Sequence, residues 1–295
     1  MAFSLIDDLL QKTSRTFALA IPLLPEPLQS EVGVGYLLFR IADTLEDAEL
    51  LGRDERIAAL QEWIELLEAP SATEAKRLAN GWAKAPTSTN AEYNRLLRET
   101  PAVIARFLAF EDASRAAIAK HAARSARGMA ETLSGSDAAG TLALATLEEL
   151  REYCYFVAGI VGEMLTDLFE LRLDASPSRD ALAVDAAAFG EGLQLVNILK
   201  DAPDDARDGR TYLPPGVSRA EVIQLAHDNL AAAERYADHL QAAGADEGVL
   251  AFVTLPRTLA EATLDGLEHG ERKVTRGVVA EKLAEAEAIR TGRAS

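Results

Sequence analysis

Two widely separated segments place carboxylates where a core-facing helix normally carries leucine. The first reads Phe39-Arg40-Ile41-Ala42-Asp43-Thr44-Leu45-Glu46-Asp47, and the second runs from Gln194 through Asn197, Lys200 and Asp201 to Pro203, Asp204 and Asp205. Both lie inside apolar runs of helical period. Residues four apart on a helix stand one above the other, roughly 6 Å apart. Asp43 and Asp47 therefore share a face, as do Asn197, Asp201 and Asp205. Ionised carboxylates are costly to bury unless something positive neutralises them. Two such all-oxygen sets suit Mg²⁺, which held this way usually also binds substrate phosphates. The expectation is an enzyme acting on diphosphates.

The rest of the chain reads as helix. Ala and Leu dominate and aromatics are only 6%, a mixture that favours helix over strand. Leu28 to Ala48 reads as one helix with the first acid pair near its end. Arg53 to Leu67 is another, terminated by Pro70 and Ser71. Ala85 to Asn90 is a loop with Asn90 as N-cap of the next helix. A helix is expected from Ala102 to Leu133, starting after Pro101. Leu147 to Leu171 is apolar on all sides, as a buried central helix is. Ala181 to Lys200 follows, and then Arg219–Ala242, Leu250–Glu268 and Arg276–Arg290. Without strand runs, repeats or linkers, the chain is expected to be one all-α domain, residues 1–295, of roughly ten helices. Pro203 is expected to kink or end its helix near Asp201, leaving Asp204 or Asp205 as the further ligand.

Composition excludes several classes. A net charge of -17 offers no basic face to nucleic acid and little attraction to anionic lipid. The single Cys154 cannot form an internal disulfide, and its neighbours Tyr153 and Tyr155 suggest a packed thiol, so a cytoplasmic setting is expected. The first ten residues lack a basic signal-peptide start, and no apolar run near the membrane-spanning length is apparent. A soluble monomer is expected, with at most peripheral membrane contact. All four histidines read as surface residues.

Further residues have two readings each. Ser14 and Arg15 either cap a helix or offer a hydroxyl and a guanidinium to phosphate. Arg40, one turn before Asp43, either binds diphosphate or pairs with Asp43 or Asp47. Arg210 and Tyr212 sit in an ordinary loop or hold a diphosphate by bidentate and hydroxyl hydrogen bonds. Gly159 and Gly162 mark close packing or ligand approach. A buried Tyr153 needs a hydrogen-bond partner and can serve as an acid or base.

The ordered set resembles the squalene and phytoene synthase family over nearly the whole chain: Ser14-Arg15-Thr16-Phe17, Asp43 to Asp47, Gly128 to Glu131, Tyr153 to Gly162, Leu193 to Asp205, Gly209 to Pro214, and Leu255 to Leu264. The resemblance implies the isoprenoid synthase fold around a deep apolar cavity, with two acid-bearing helices at its mouth. It implies metal ligands at Asp43, Asp47, Asn197, Asp201 and Asp205, and catalytic roles for Arg40, Asp43, Asp47 and Asp201. Diphosphate contacts are implied at Ser14, Arg40, Arg210 and Tyr212, proton transfer at Tyr153, and a cavity amide at Gln194. The first motif and the tail from Lys273 to Val279 are most similar to squalene synthases. That implies Mg²⁺-dependent coupling of two farnesyl diphosphates through presqualene diphosphate to squalene, with NADPH as reductant. Of the family's basic pair in the tail, Ala280 falls at one position and Lys282 at the other. Competing products are phytoene from C20 substrates, presqualene diphosphate itself, and hydroxysqualene. The DDxxD motif of head-to-tail synthases is absent. A non-enzymatic alternative is an acidic helical Ca²⁺-binding protein.

Overall fold

A computed structural model describes residues 4–14, 16–173, 179–207, 211–271 and 273–293. In chain order the helices are α1 (Leu5–Thr13), α2 (Phe17–Ala20), α3 (Leu28–Glu46), α4 (Arg53–Glu68), α5 (Ala72–Trp82), α6 (Ala91–Phe107), α7 (Asp112–Ser134), α8 (Leu147–Cys154), α9 (Ile160–Glu170), α10 (Arg179–Arg207), α11 (Arg219–Ala242), α12 (Glu247–Glu268) and α13 (Arg276–Arg290). Ile21–Leu23 is a 3₁₀ turn, and a π-helical turn, Tyr155–Gly159, joins α8 to α9. Among the described residues no strand forms, and the extended pairing is the isolated bridge Ala143–Thr211. The all-α expectation therefore holds.

The chain groups into two compact units, Met1–Ala18 with Ser30–Leu142, and Leu19–Gln29 with Ala143–Ser295. In the first, α4 packs on α7 and α5 on α6, around fully buried Leu37, Ile41, Leu60, Trp63 and Phe107. In the second, α10 is the hub, packing on α11, α9, α12 and the π turn. Phe169 and Phe252 meet edge to face at 6.1 Å in its core.

The α10 contact is a backbone one. A Cβ on Gly162 would lie 2.1 Å from the Ala186 carbonyl oxygen, and one on Gly190 would lie 2.3 Å from that of Ala158. Any side chain at either position would force the helices apart.

Several boundaries differ from the sequence reading. Ser71, read as a stop, instead caps a new helix, its Oγ accepting from Glu74 N, and Trp82 on that helix meets Trp63 at 6.5 Å. The helix expected from Ala102 to Leu133 is two. α6 carries Pro101 inside it, and the break falls after Phe107. There Phe107 and Phe110 both turn into the core, and Arg115 Nη1 donates to the Leu108 and Phe110 carbonyls at 3.3 and 2.7 Å. Asn90 caps α6 as expected, accepting from Glu92 N and Tyr93 N. His121 is buried rather than on the surface, its Nδ1 3.0 Å from Arg124 Nη1. The stretch Leu182–Pro203 is, against expectation, long and apolar enough to cross a membrane by length and composition, although 56% of its most apolar window is buried inside the fold, as in a core helix.

Pro203 neither kinks nor ends α10 before Arg207. Its missing N–H would have served the Leu199 carbonyl, four residues back. Arg219 Nη1 donates to that carbonyl instead, at 3.1 Å.

Candidate active site

The first acid segment ends α3. Acids near a helix C-terminus oppose the macrodipole, and the structure supplies two arginines there. Arg56 is buried and donates from Nη1 to the Glu46 carbonyl at 3.3 Å and from Nε to that of Leu51 at 3.0 Å. Arg40 pairs with Asp43, as one of its two sequence readings anticipates. Its other terminal nitrogen donates to the Tyr93 hydroxyl, and the guanidinium carbon lies 4.7 Å from that ring's centre. Burial works against this charge, but Asp43, Tyr36, Tyr93 and Asp47 outweigh it and hold the Arg40 pKa above its usual value. The cation is therefore permanent.

Tyr36, one turn before Arg40, donates to the Thr13 carbonyl at 3.3 Å. Burial raises its phenol pKa, with Arg40 and a hydrogen bond from Ser14 pulling the other way. Ser14 also accepts from Ala18 N at 3.2 Å, which is its capping role. The first unit thus gathers Ser14, Tyr36, Arg40, Asp43 and Tyr93, with Asp47 N bonded to the Asp43 carbonyl one turn on.

The second acid segment is held differently. Gln194 is half-buried, Asn197 is exposed, and Asp201 and Asp205 are half-buried along continuous α10. Lys200 Nζ donates to Asn197 Oδ1 at 3.0 Å and lies 3.5 Å from Asp201 Oδ2. The ammonium sits where a divalent cation would bridge the same oxygens. Arg15 and Arg210 fall outside the described residues, as does the side chain of Asp204.

Tyr153 is buried and stacks on Tyr212, with centroids 5.2 Å apart and planes inclined by 26°. Residues quoted separately for proton transfer and diphosphate contact are thus ring to ring. Cys154 is the packed thiol expected, its pKa raised by burial and then by Glu191. Tyr155 is half-buried rather than plain core, and its hydroxyl donates to Glu163 Oε1 at 2.8 Å. Lys282 lies on α13 with Nζ 3.0 Å from Glu285 Oε1 and 3.6 Å from Glu281 Oε1.

Two fits follow from these donors. Among the described residues no three His, Cys, Asp or Glu side chains gather to hold a metal. Mg²⁺ nevertheless suits pairs of carboxylates, since it commonly takes one or two from the protein and completes its shell with water and phosphate oxygens. The Asp43/Asp47 and Asn197/Asp201/Asp205 sets fit that partial role. Lys282 fits a nucleotide phosphate only by leaving Glu285 and Glu281.

Sequence reasoning missed Tyr36, Tyr93, Lys200 and Arg219. Tyr36 had a signal, since it precedes Arg40 by one helical turn. Lys200 likewise lies within the quoted motif. Tyr93 had none, because it comes from α6.

The squalene/phytoene synthase family profile matches residues 10–284. The squalene synthase of Schizosaccharomyces pombe is 30% identical over 207 residues, covering 70% of this chain and 43% of that protein. That of Candida albicans is 27% identical, covering 92% of this chain and 63% of its own length. The matched part is thus about half the length of these relatives. A solved structure of TcSQS in complex with a ligand superposes with a TM-score of 0.75 at 25% identity, covering 95% of this chain and 84% of that one. A dehydrosqualene synthase structure superposes at 0.61 and 22% identity, covering 97% and 95%, and shares the isoprenoid synthase fold. The profile spans both acid segments, the Tyr153 region and the α12 tail, so the chain belongs to the squalene/phytoene synthase family.

Proposed function

We propose that this chain joins two farnesyl diphosphates head to head, through presqualene diphosphate, to squalene. The observation that carries the reading is Arg40: a cation fixed between Asp43 and Tyr93 on a carboxylate-bearing helix end. A guanidinium so fixed presents its fork to a diphosphate without losing orientation entropy at the moment of reaction.

Mg²⁺, held by Asp43 and Asp47 and by Asn197, Asp201 and Asp205, supplies the electrophilic stabilisation that lets diphosphate depart. Arg40 binds the departing oxygens, and Ser14, Arg15, Arg210 and Tyr212 orient the remainder. Departure leaves an allylic cation, which the double bond of the second substrate attacks. Tyr153 Oη receives the proton lost as the cyclopropane closes, and stacking on Tyr212 fixes that phenol. Gln194 orients the chain beside the reacting carbons, and apolar side chains exclude water that would quench each cation. NADPH, with its phosphate on Lys282, supplies the hydride that ends the second rearrangement. The hydrocarbon product favours release by a monomer in peripheral contact with a membrane.

The test is product analysis with farnesyl diphosphate and Mg²⁺, with and without NADPH. Squalene in the NADPH tube alone supports the full reading. Presqualene diphosphate or hydroxysqualene in both tubes removes the hydride step. Turnover of geranylgeranyl diphosphate only would replace C15 by C20.

A further inference from the structure

Arg219 occupies an unfavourable position by ordinary helix rules. It is the first residue of α11, where its charge meets the positive end of the helix dipole. The start of α11 is otherwise well made, with Ser218 Oγ accepting from Glu221 N at 3.2 Å and Ser218 N donating to Glu221 Oε2 at 2.8 Å. An arginine there wants a reason, and its hydrogen bond to the Leu199 carbonyl supplies one. Leu199 is 1% exposed, so water does not serve that carbonyl. Pro203 cannot serve it either, having no N–H.

We propose that Arg219 is a positioning residue that stands in for the amide proton Pro203 lacks. A charge-assisted bond from the guanidinium replaces the lost intrahelical one and keeps α10 helical past the proline. Asp201 and Asp205 flank Pro203, so the same bond keeps those two carboxylates one turn apart on one face. Arg219 acts on them through the backbone and touches neither substrate nor metal. The part concerning the carboxylates rests on the metal role proposed above for α10; the part concerning the helix does not.

The experiment is a double-mutant cycle on the full chain: wild type, Arg219→Ala, Pro203→Ala and the pair, with Arg219→Lys as the conservative variant. Thermal melting without ligands reads the helix, and Mn²⁺ titration followed by electron paramagnetic resonance, with inorganic diphosphate present, reads the ligand set. Arg219→Ala should weaken Mn²⁺ binding roughly 10-fold, the low end for residues that orient metal ligands. It should also lower the melting temperature. Pro203→Ala restores the intrahelical N–H, so in that background Arg219→Ala should alter Mn²⁺ binding less than about 2-fold and hardly move the melt. Arg219→Lys should recover part of both losses. Equal losses with and without Pro203→Ala would overturn the proposal, since Arg219 would then act elsewhere, and so would no loss in either background. If wild type bound no Mn²⁺, the metal role and the carboxylate part would fall together, while coupling in the melt would still decide whether Arg219 replaces the missing proton.

Discussion

The two acid segments solve one problem in opposite ways. On α3 the carboxylates are answered by side chains: Arg40 pairs with Asp43, is backed by Tyr93, and Arg56 covers the helix end. On α10 the answer is mostly backbone. Gly162 and Gly190 let main chains touch, Arg219 covers an orphaned carbonyl, and the cation beside the ligands, Lys200, carries a side chain that is only partly covered. A cluster built from charges responds to single-charge changes, whereas one built on backbone contact responds to volume.

The largest expected effect tests whether both segments are needed. Asp43→Ala and Asp201→Ala should each lower prenyl transfer on the order of 10² to 10³-fold, with the helical circular dichroism unchanged. Loss in one variant alone would break the parallel between the segments. Next, Gly162→Ala should cost about 1–3 kcal/mol of stability by forcing α9 from α10, read from urea unfolding. A neutral result would mean that α10 is not held by backbone contact. Smaller still, Tyr93→Phe keeps the ring under Arg40 but removes the hydroxyl acceptor. It should lower kcat/KM roughly 2- to 10-fold, the worth of one hydrogen bond.

The smallest effect concerns Glu191 on α10. Burial raises its carboxyl pKa, with Arg151 and Asn229 pulling it down. The folded state therefore binds this proton more tightly than the unfolded chain. Its contribution to stability is lost as pH rises from about 4.3, the ordinary value, through the raised one. Glu191→Gln should flatten that loss and raise the melting temperature at pH 8 by on the order of 2 °C. A lower melting temperature would show that the charged form is the one the fold prefers.

What the sequence reveals follows the same division. The α3 motif, the Asn90 cap and the runs of α4 and α11 are local patterns, and they fold as read. The break between α6 and α7 has no glycine or proline at Leu108–Glu111 to announce it; it comes from two phenylalanines reaching the core. Pro203 misleads for a related reason, because its compensation comes from a residue in the next helix. Tyr93 is invisible beside Arg40 until α6 is in place. Patterns of period announce elements, whereas partners distant in sequence need the fold.

The π turn at Tyr155–Gly159 has a consequence for how this stretch tolerates change in length. Its Ile160 N–H reaches back to the Tyr155 carbonyl, so the turn accommodates one more residue than an α-helix would. Deleting a single residue there would leave an ordinary helix that still spans the distance, yet α9 would be rotated by about 100°. Gly162 would then swing away from Ala186, and a bulkier neighbour would take its place against α10. A one-residue deletion in this turn should therefore be tolerated far less than one in an exposed loop, although no side chain in the turn needs to be special.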